Sequence, residues 1–236
     1  MKLVFVDETS DAKYKDYFGI CCAVVDHTKY RLIKSAFQKI LLDGGWDPEI
    51  EFKGSYLFSA SKGCTSVSVE ERVGLAEEIL KLNQSGKNAR FKFAYLKLSS
   101  HDPKAEYLKF LPLLLRRVLP KATSGLGKDI LSVNCDYRTD VSPSEICESL
   151  LPVVKDKGYT LFEDVVMANS NFETVGILYA DLVAYLTARV DLISSDIDLF
   201  EDIPKEVIRK SGKIKKLKSS VRLIRLIKEL GIYVTE

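Results

Sequence analysis

Three aspartates stand where a carboxylate calls for an explanation. Asp7 closes one apolar run (KLVFVD), Asp136 closes another that begins at Ile130, and Asp181 interrupts the apolar stretch from Glu173 to Leu192. On a helix Asp181 lies beside Ile177, Leu178, Ala184, Tyr185 and Ala188, so an acid sits within the stripe that should face the core. The ionised form of a buried carboxylate is strongly disfavoured unless it meets a cation, several donors or a metal. A buried ion pair and a functional site answer that need equally well. Asp7 and Asp136, each taken singly, also fit a solvated acid opening a turn. Taken together the three say more: carboxylates in contact repel one another and hold protons unless divalent cations neutralise them, and an oxygen-only set suits magnesium or manganese. Such a pair of metals can activate water and stabilise the leaving oxygen in phosphodiester cleavage.

The elements that must position these acids are legible from periodicity. Lys2 to Asp7 and Tyr17 to Asp26 read as strands, and the polar stretch Glu8 to Asp16 between them as the turn of an antiparallel hairpin. Strand alternation puts Leu3 and Phe5 on the face of Asp7, and Val4, Val6 and Glu8 on the other. Tyr30 to Leu42 has helical spacing and stops at Gly44-Gly45, and Asp47 to Thr65 is an irregular excursion containing EFKGS. Ser68 with Glu71 forms a capping-box pattern that opens a helix reaching about Asn83. Arg90 to Leu98 is a strand, Asp102-Pro103 opens a helix through Leu119, Ile130 to Cys135 is a buried strand, and Ser142-Pro143 opens another helix. Tyr159 to Met167 reads as a fifth strand, Glu173 to Leu192 as the longest apolar helix, and Gly231 to Glu236 as a short terminal strand. The alternation predicts one α/β domain over 1–236, with a mixed sheet of about five strands flanked by helices. Residues 27–88 form a largely helical insertion between strands 2 and 3, and 193–236 a helical, basic extension. In such sheets the site opens at the carboxyl ends of strands, where Asp7 and Asp136 are expected.

Bulk properties bound the function. The chain has 236 residues, 46% apolar and 29% charged, with a net charge of +2, too small to announce a nucleic-acid or membrane partner by itself. Five cysteines without a C-x-x-C spacing indicate reduced thiols and no zinc site. No leader-like segment or membrane-length apolar run occurs, so a cytoplasmic protein with no membrane partner is expected. There is no Walker loop, dinucleotide glycine fingerprint, zinc helix motif or nucleophile elbow, and the two histidines, His27 and His101, stand apart from any triad order. A glycosidase needs only two acids, but nothing else suggests sugars.

The motifs Val6-Asp7-Glu8-Thr9-Ser10, Glu51-Phe52-Lys53-Gly54-Ser55, the strand-end Asp136, Ser170, and Gly176-Ile177-Leu178-Tyr179-Ala180-Asp181-Leu182-Val183-Ala184 resemble, in this order, the domain of unknown function 3800 family, regarded as ribonuclease-H-like. The likeness spans roughly residues 1–192. It departs at Thr9-Ser10, where the family tends to have serine-glycine, and at Leu178, where it often has glutamine. The resemblance implies a metal-dependent nuclease site with Asp7, Asp136 and Asp181 as ligands to Mg2+ or Mn2+. It adds Glu51 as a ligand or base, Lys53 as a phosphate contact and Ser170 as an orienting group; on spacing alone Glu51 and Lys53 equally fit a solvated loop pair. Glu8 is a further orienting candidate, Glu163 and Asp164 read as surface charges, and Glu106 as a helix-dipole partner. Between Lys205 and Lys228 the basic density, Lys213, Lys215 and Lys216 above all, would suit phosphate-backbone neutralisation, although a solvated helix face explains each lysine as well. The functional expectation is a nuclease or phosphodiesterase acting on nucleic acid, DNA or RNA. The alternative is a non-cutting nucleic-acid-binding or protein-interaction domain. Oligomeric state is not readable from the sequence.

Overall fold

The computed structural model describes residues 1–11, 14–84, 89–98, 102–124, 129–188 and 212–234, with the backbone alone at 11, 14–17 and 212–220. Two long strands, β1 (Lys2–Asp11) and β2 (Tyr14–Asp26), form the hairpin, and β3 (Lys92–Leu98) extends it into an antiparallel meander. On the far side of β1, β4 (Asp129–Asp136) runs parallel to it and carries two short parallel strands, β5 (Tyr159–Leu161) and β6 (Val166–Ala168). A final strand, β7 (Ile232–Tyr233), pairs with β3, so the described sheet has seven strands in the order β5-β4-β1-β2-β3-β7, with β6 also on β4. This is the mixed, helix-flanked α/β sheet that the alternation of elements predicts, with seven strands among the described residues where about five were expected.

Helices cover both faces. The insertion supplies α1 (His27–Asp43) and α2 (Val69–Lys81), which pack with α5 (Val175–Thr187) and the end of α6 (Gly212–Leu230) on the face carrying Leu3 and Phe5. The opposite face, carrying Val4 and Val6, is covered by α3 (Pro103–Val118) and α4 (Pro143–Asp156). Ser68 and Glu71 close the capping box on α2 as the sequence predicts, and Ser142 with Glu145 forms a second one on α4.

Several boundaries differ from expectation, each for a local reason. The hairpin strands run on through the stretch read as turn, reaching Asp11 and Tyr14, because that polar segment continues to pair, with a register shift between Thr9 and Asp11. Asp7 therefore lies inside β1 rather than at its end. What ends there is pairing on one side: Val6↔Cys135 is the last β1–β4 pair, and beyond it β1 has no parallel neighbour. The expected fifth strand is two strands, broken by bends at Phe162, Glu163 and Asp164; Glu163 and Asp164 are exposed, as read. Helix α1 begins at His27, three residues before the expected start at Tyr30. His101, Lys205 and the rest of 193–211 lie outside the described residues, as do the side chains of Lys213, Lys215 and Lys216 in α6.

Helix α5 departs most from its sequence reading. An amphipathic helix with an acid misplaced on its core stripe was expected, yet every residue from Val175 to Thr187 is buried except Asp181. Jacketed between the sheet, α1, α6 and the loop around Gly54, it has no solvent face. Gly176 permits this, because a Cβ there would collide with the ring of Phe5.

Candidate metal centre

Asp7 and Asp136 come from neighbouring parallel strands, one residue beyond the last paired positions Val6 and Cys135. Alternation puts both on the α5 face, since Val6 and Cys135 point into the opposite core. Asp181 faces them from α5. Burial is the main cause that raises the Asp7 carboxyl well above the usual range, and the charges of Asp181, Glu8 and Asp136 add to it. Burial likewise pushes Asp181 up to about 7, against the relief given by Gly54 and Lys53, with Glu51 and Asp136 raising it further. These mutual effects place the three acids in one field. They do not form a closed cage: among the described residues no group of three His, Cys, Asp or Glu side chains is drawn close enough to hold an ion as it stands.

Each carboxylate has one oxygen fixed by a donor. The Glu8 amide donates to Asp7 Oδ1 at 2.7 Å, the Ser170 hydroxyl to Asp136 Oδ1 at 2.7 Å, and the Gly54 amide to Asp181 Oδ2 at 2.5 Å. The other oxygen of each makes no hydrogen bond to a described residue. Three oriented carboxylates with a spare oxygen apiece are a donor set that oxygen-preferring divalent cations fit.

The excursion brings Glu51 and Lys53 to the same place. Phe52 is fully buried against Trp46, with ring centroids 4.9 Å apart, and so pins the segment between its two charged neighbours. Glu51 and Lys53 form the ion pair foreseen for a loop at 3.2 Å, but both are only part-exposed, and Lys53 also feels Asp181 and Asp136. Glu51 Oε1 is buried without a hydrogen-bond partner among the described residues. The short 3-10 turn Gly54–Tyr56 then seats the chain on α5, where a Cβ at Gly54 would lie 2.5 Å from that of Tyr185. Gly54→Ala should therefore lift the loop, weaken the amide that holds Asp181 and cost about 1–3 kcal/mol, read as a lower melting temperature; an unchanged melt would show that the seat is looser than drawn.

Glu8 does not join the acids. It points to the opposite face and pairs with Arg138 at 2.6 Å; Arg138 also pairs with Asp140 at 2.7 Å and stacks over Tyr107. Glu106 lies in the first turn of α3, as read for a dipole partner. Sequence reading passed over Arg72. Its fully buried guanidinium donates to the carbonyls of Val67 (2.8 Å), Tyr56 (2.9 Å), Ser59 (2.7 Å), Lys62 (2.8 Å) and Cys64 (2.6 Å), tying down the loop that follows Gly54.

No family model matches the chain, and no curated protein matches it. Among solved structures, the chain is similar to one described as the PCNA:RNase HII complex from Archaeoglobus fulgidus, at 16% identity and a TM-score of 0.44 over 89% of this chain and 88% of that one. It is also similar to the ribonuclease H2 from Pyrococcus horikoshii OT3, at 11% identity and a TM-score of 0.43, over 97% of this chain and 100% of that one. No helix among the described residues is long and apolar enough to cross a membrane.

Proposed function

We propose that this chain is a divalent-metal-dependent nuclease, hydrolysing phosphodiester bonds of nucleic acid at the gap where β4 parts from β1. The observation that carries the reading is the shared field of Asp7, Asp136 and Asp181, each held by one donor with its second oxygen free of hydrogen bonds to the described residues. Asp7, Asp136 and Asp181 would hold Mg2+ or Mn2+, which when bound supplies Lewis acidity toward the phosphate and a more acidic water. The chain's own groups do the rest. Lys53, tethered by Glu51, stands beside the acids as a phosphate contact. Glu51 Oε1, which has no hydrogen-bond partner among the described residues, can take the proton of an attacking water. Ser170 keeps Asp136 oriented. The resemblance to the domain of unknown function 3800 family supports the same assignment. The alternative is a nucleic-acid-binding domain that does not cut.

Cation binding separates the two through stability. A carboxyl whose folded pKa is raised makes the native state bind more protons than the unfolded one, so its stabilising contribution is full below the unfolded pKa near 4 and is lost as pH rises through the folded value. For Asp181 that window runs from the ordinary aspartate range to about 7. The metal-free protein should melt lower at about pH 8 than at about pH 5, and Mn2+ should recover most of the difference while supporting cleavage of labelled RNA or DNA oligonucleotides. A melt indifferent to Mn2+ at both values, with no cleavage, would overturn the nuclease reading.

A further inference from the structure

At the end of the sheet where β3 begins, a cleft of about 440 Å³ is lined by Arg90, Lys92, Arg117 and Lys157, and by no acid among the described residues. It is not part of the carboxylate centre. Lys92 pairs with Val24 and Val24 with Val4, three residues before Asp7 on β1, so the cleft begins roughly 10 Å back along the strands and two strands across. Its floor is apolar, formed in part by Phe91 and Phe93, with Ile232 at its edge.

None of the four cationic side chains makes an ion pair or hydrogen bond with a described residue. The nearby acid Asp156 is already taken by Arg116 at 3.0 Å. Arg117 lies in the last turn of α3 and Lys157 caps α4, so the helix dipoles favour these two. Arg90 and Lys92 lead into and open a strand, and no dipole accounts for them. Four uncompensated charges around one concavity repel one another and raise the local potential for an anion. The volume falls within the range of roughly 300–1,000 Å³ common for small-ligand sites. A nucleic-acid backbone would call instead for a basic track along a face.

We propose that this cleft binds a small organic phosphate of nucleotide size, its phosphates among Arg90, Lys92, Arg117 and Lys157 and its apolar body on the Phe91–Phe93 floor. The assignment is independent of the nuclease reading. Calorimetric titration of the full chain with ATP, in the presence of a chelator, should show saturable binding that adenosine lacks. Arg117→Glu with Lys157→Glu should weaken it about tenfold or more. The exposed control Lys29→Glu should leave it unchanged, as should Asp7→Asn, which keeps this test separate from that of the carboxylate centre. If the double charge reversal melts early, Arg117→Gln with Lys157→Gln replaces it and should weaken binding several-fold. Absence of saturable ATP binding, or binding that survives the folded double variant, would refute the proposal. So would a labelled oligonucleotide that depends on these residues where ATP does not bind.

Discussion

Asp7→Asn should abolish metal-dependent cleavage, by about 1,000-fold or more, while the metal-free protein melts no lower than the parent. The two halves of this expectation come from one fact. Asp7 is 4% exposed and shares its surroundings with Asp136 and Asp181, so its charge is what a cation would use and what burial beside two like charges resists. The amide isostere removes that charge but keeps Oδ1, which can still accept from the Glu8 amide at the 2.7 Å contact. At about pH 8, where the like-charge repulsion is greatest, relief of roughly 1–2 kcal/mol should raise the melting temperature by a few degrees. Cleavage rates and melting curves with and without Mn2+ check both halves. Full activity in a folded Asp7→Asn protein would remove Asp7 from the chemistry; a collapsed fold would make it a structural acid.

Arg72→Met carries the largest expected stability loss. The methionine fills much of the space but withdraws the guanidinium from five carbonyls; those of Tyr56 and Cys64 keep a backbone amide, while those of Ser59, Lys62 and Val67 lose their donor, in a site where Arg72 is 1% exposed. Stranding buried acceptors costs about 1–3 kcal/mol each when nothing relaxes, and a loop can relax, so about 3–5 kcal/mol in total is expected. Arg72→Lys should recover little, because one ammonium cannot span carbonyls that a planar fork reaches from three nitrogens. Limited proteolysis should cut first between residues 56 and 67. A loss below about 1 kcal/mol would show that the loop holds itself.

The hairpin, the capped helices and the run into Asp136 could be read from the sequence because each rests on local signals: alternation, Ser-x-x-Glu, a proline at a helix start. Asp181 announced itself as an acid in an apolar stretch. The length of the hairpin could not be read, since pairing beyond Asp7 is sustained by partners across the sheet rather than by apolar alternation. Nor could the break at Phe162 to Asp164, where β4 sets what can pair. Arg72 did leave a signal: with Ala76, Ile79 and Leu80 it falls on the apolar stripe of α2, where a solvated side chain would not belong. The convergence of Glu51 and Lys53 on the acids depends on Phe52 and on the glycine seat at Tyr185, long-range contacts that no spacing encodes.

A rod gripped on every side has no free direction in which to yield. Helix α5 is such a rod, so a methyl added at Gly176, more than a turn away from Asp181, has nowhere to go except into a displacement of the whole element. The carboxylate at its one opening is thereby set by the packing of twelve neighbours as well as by the Gly54 amide, and drift anywhere along the helix would register as misalignment at the gap.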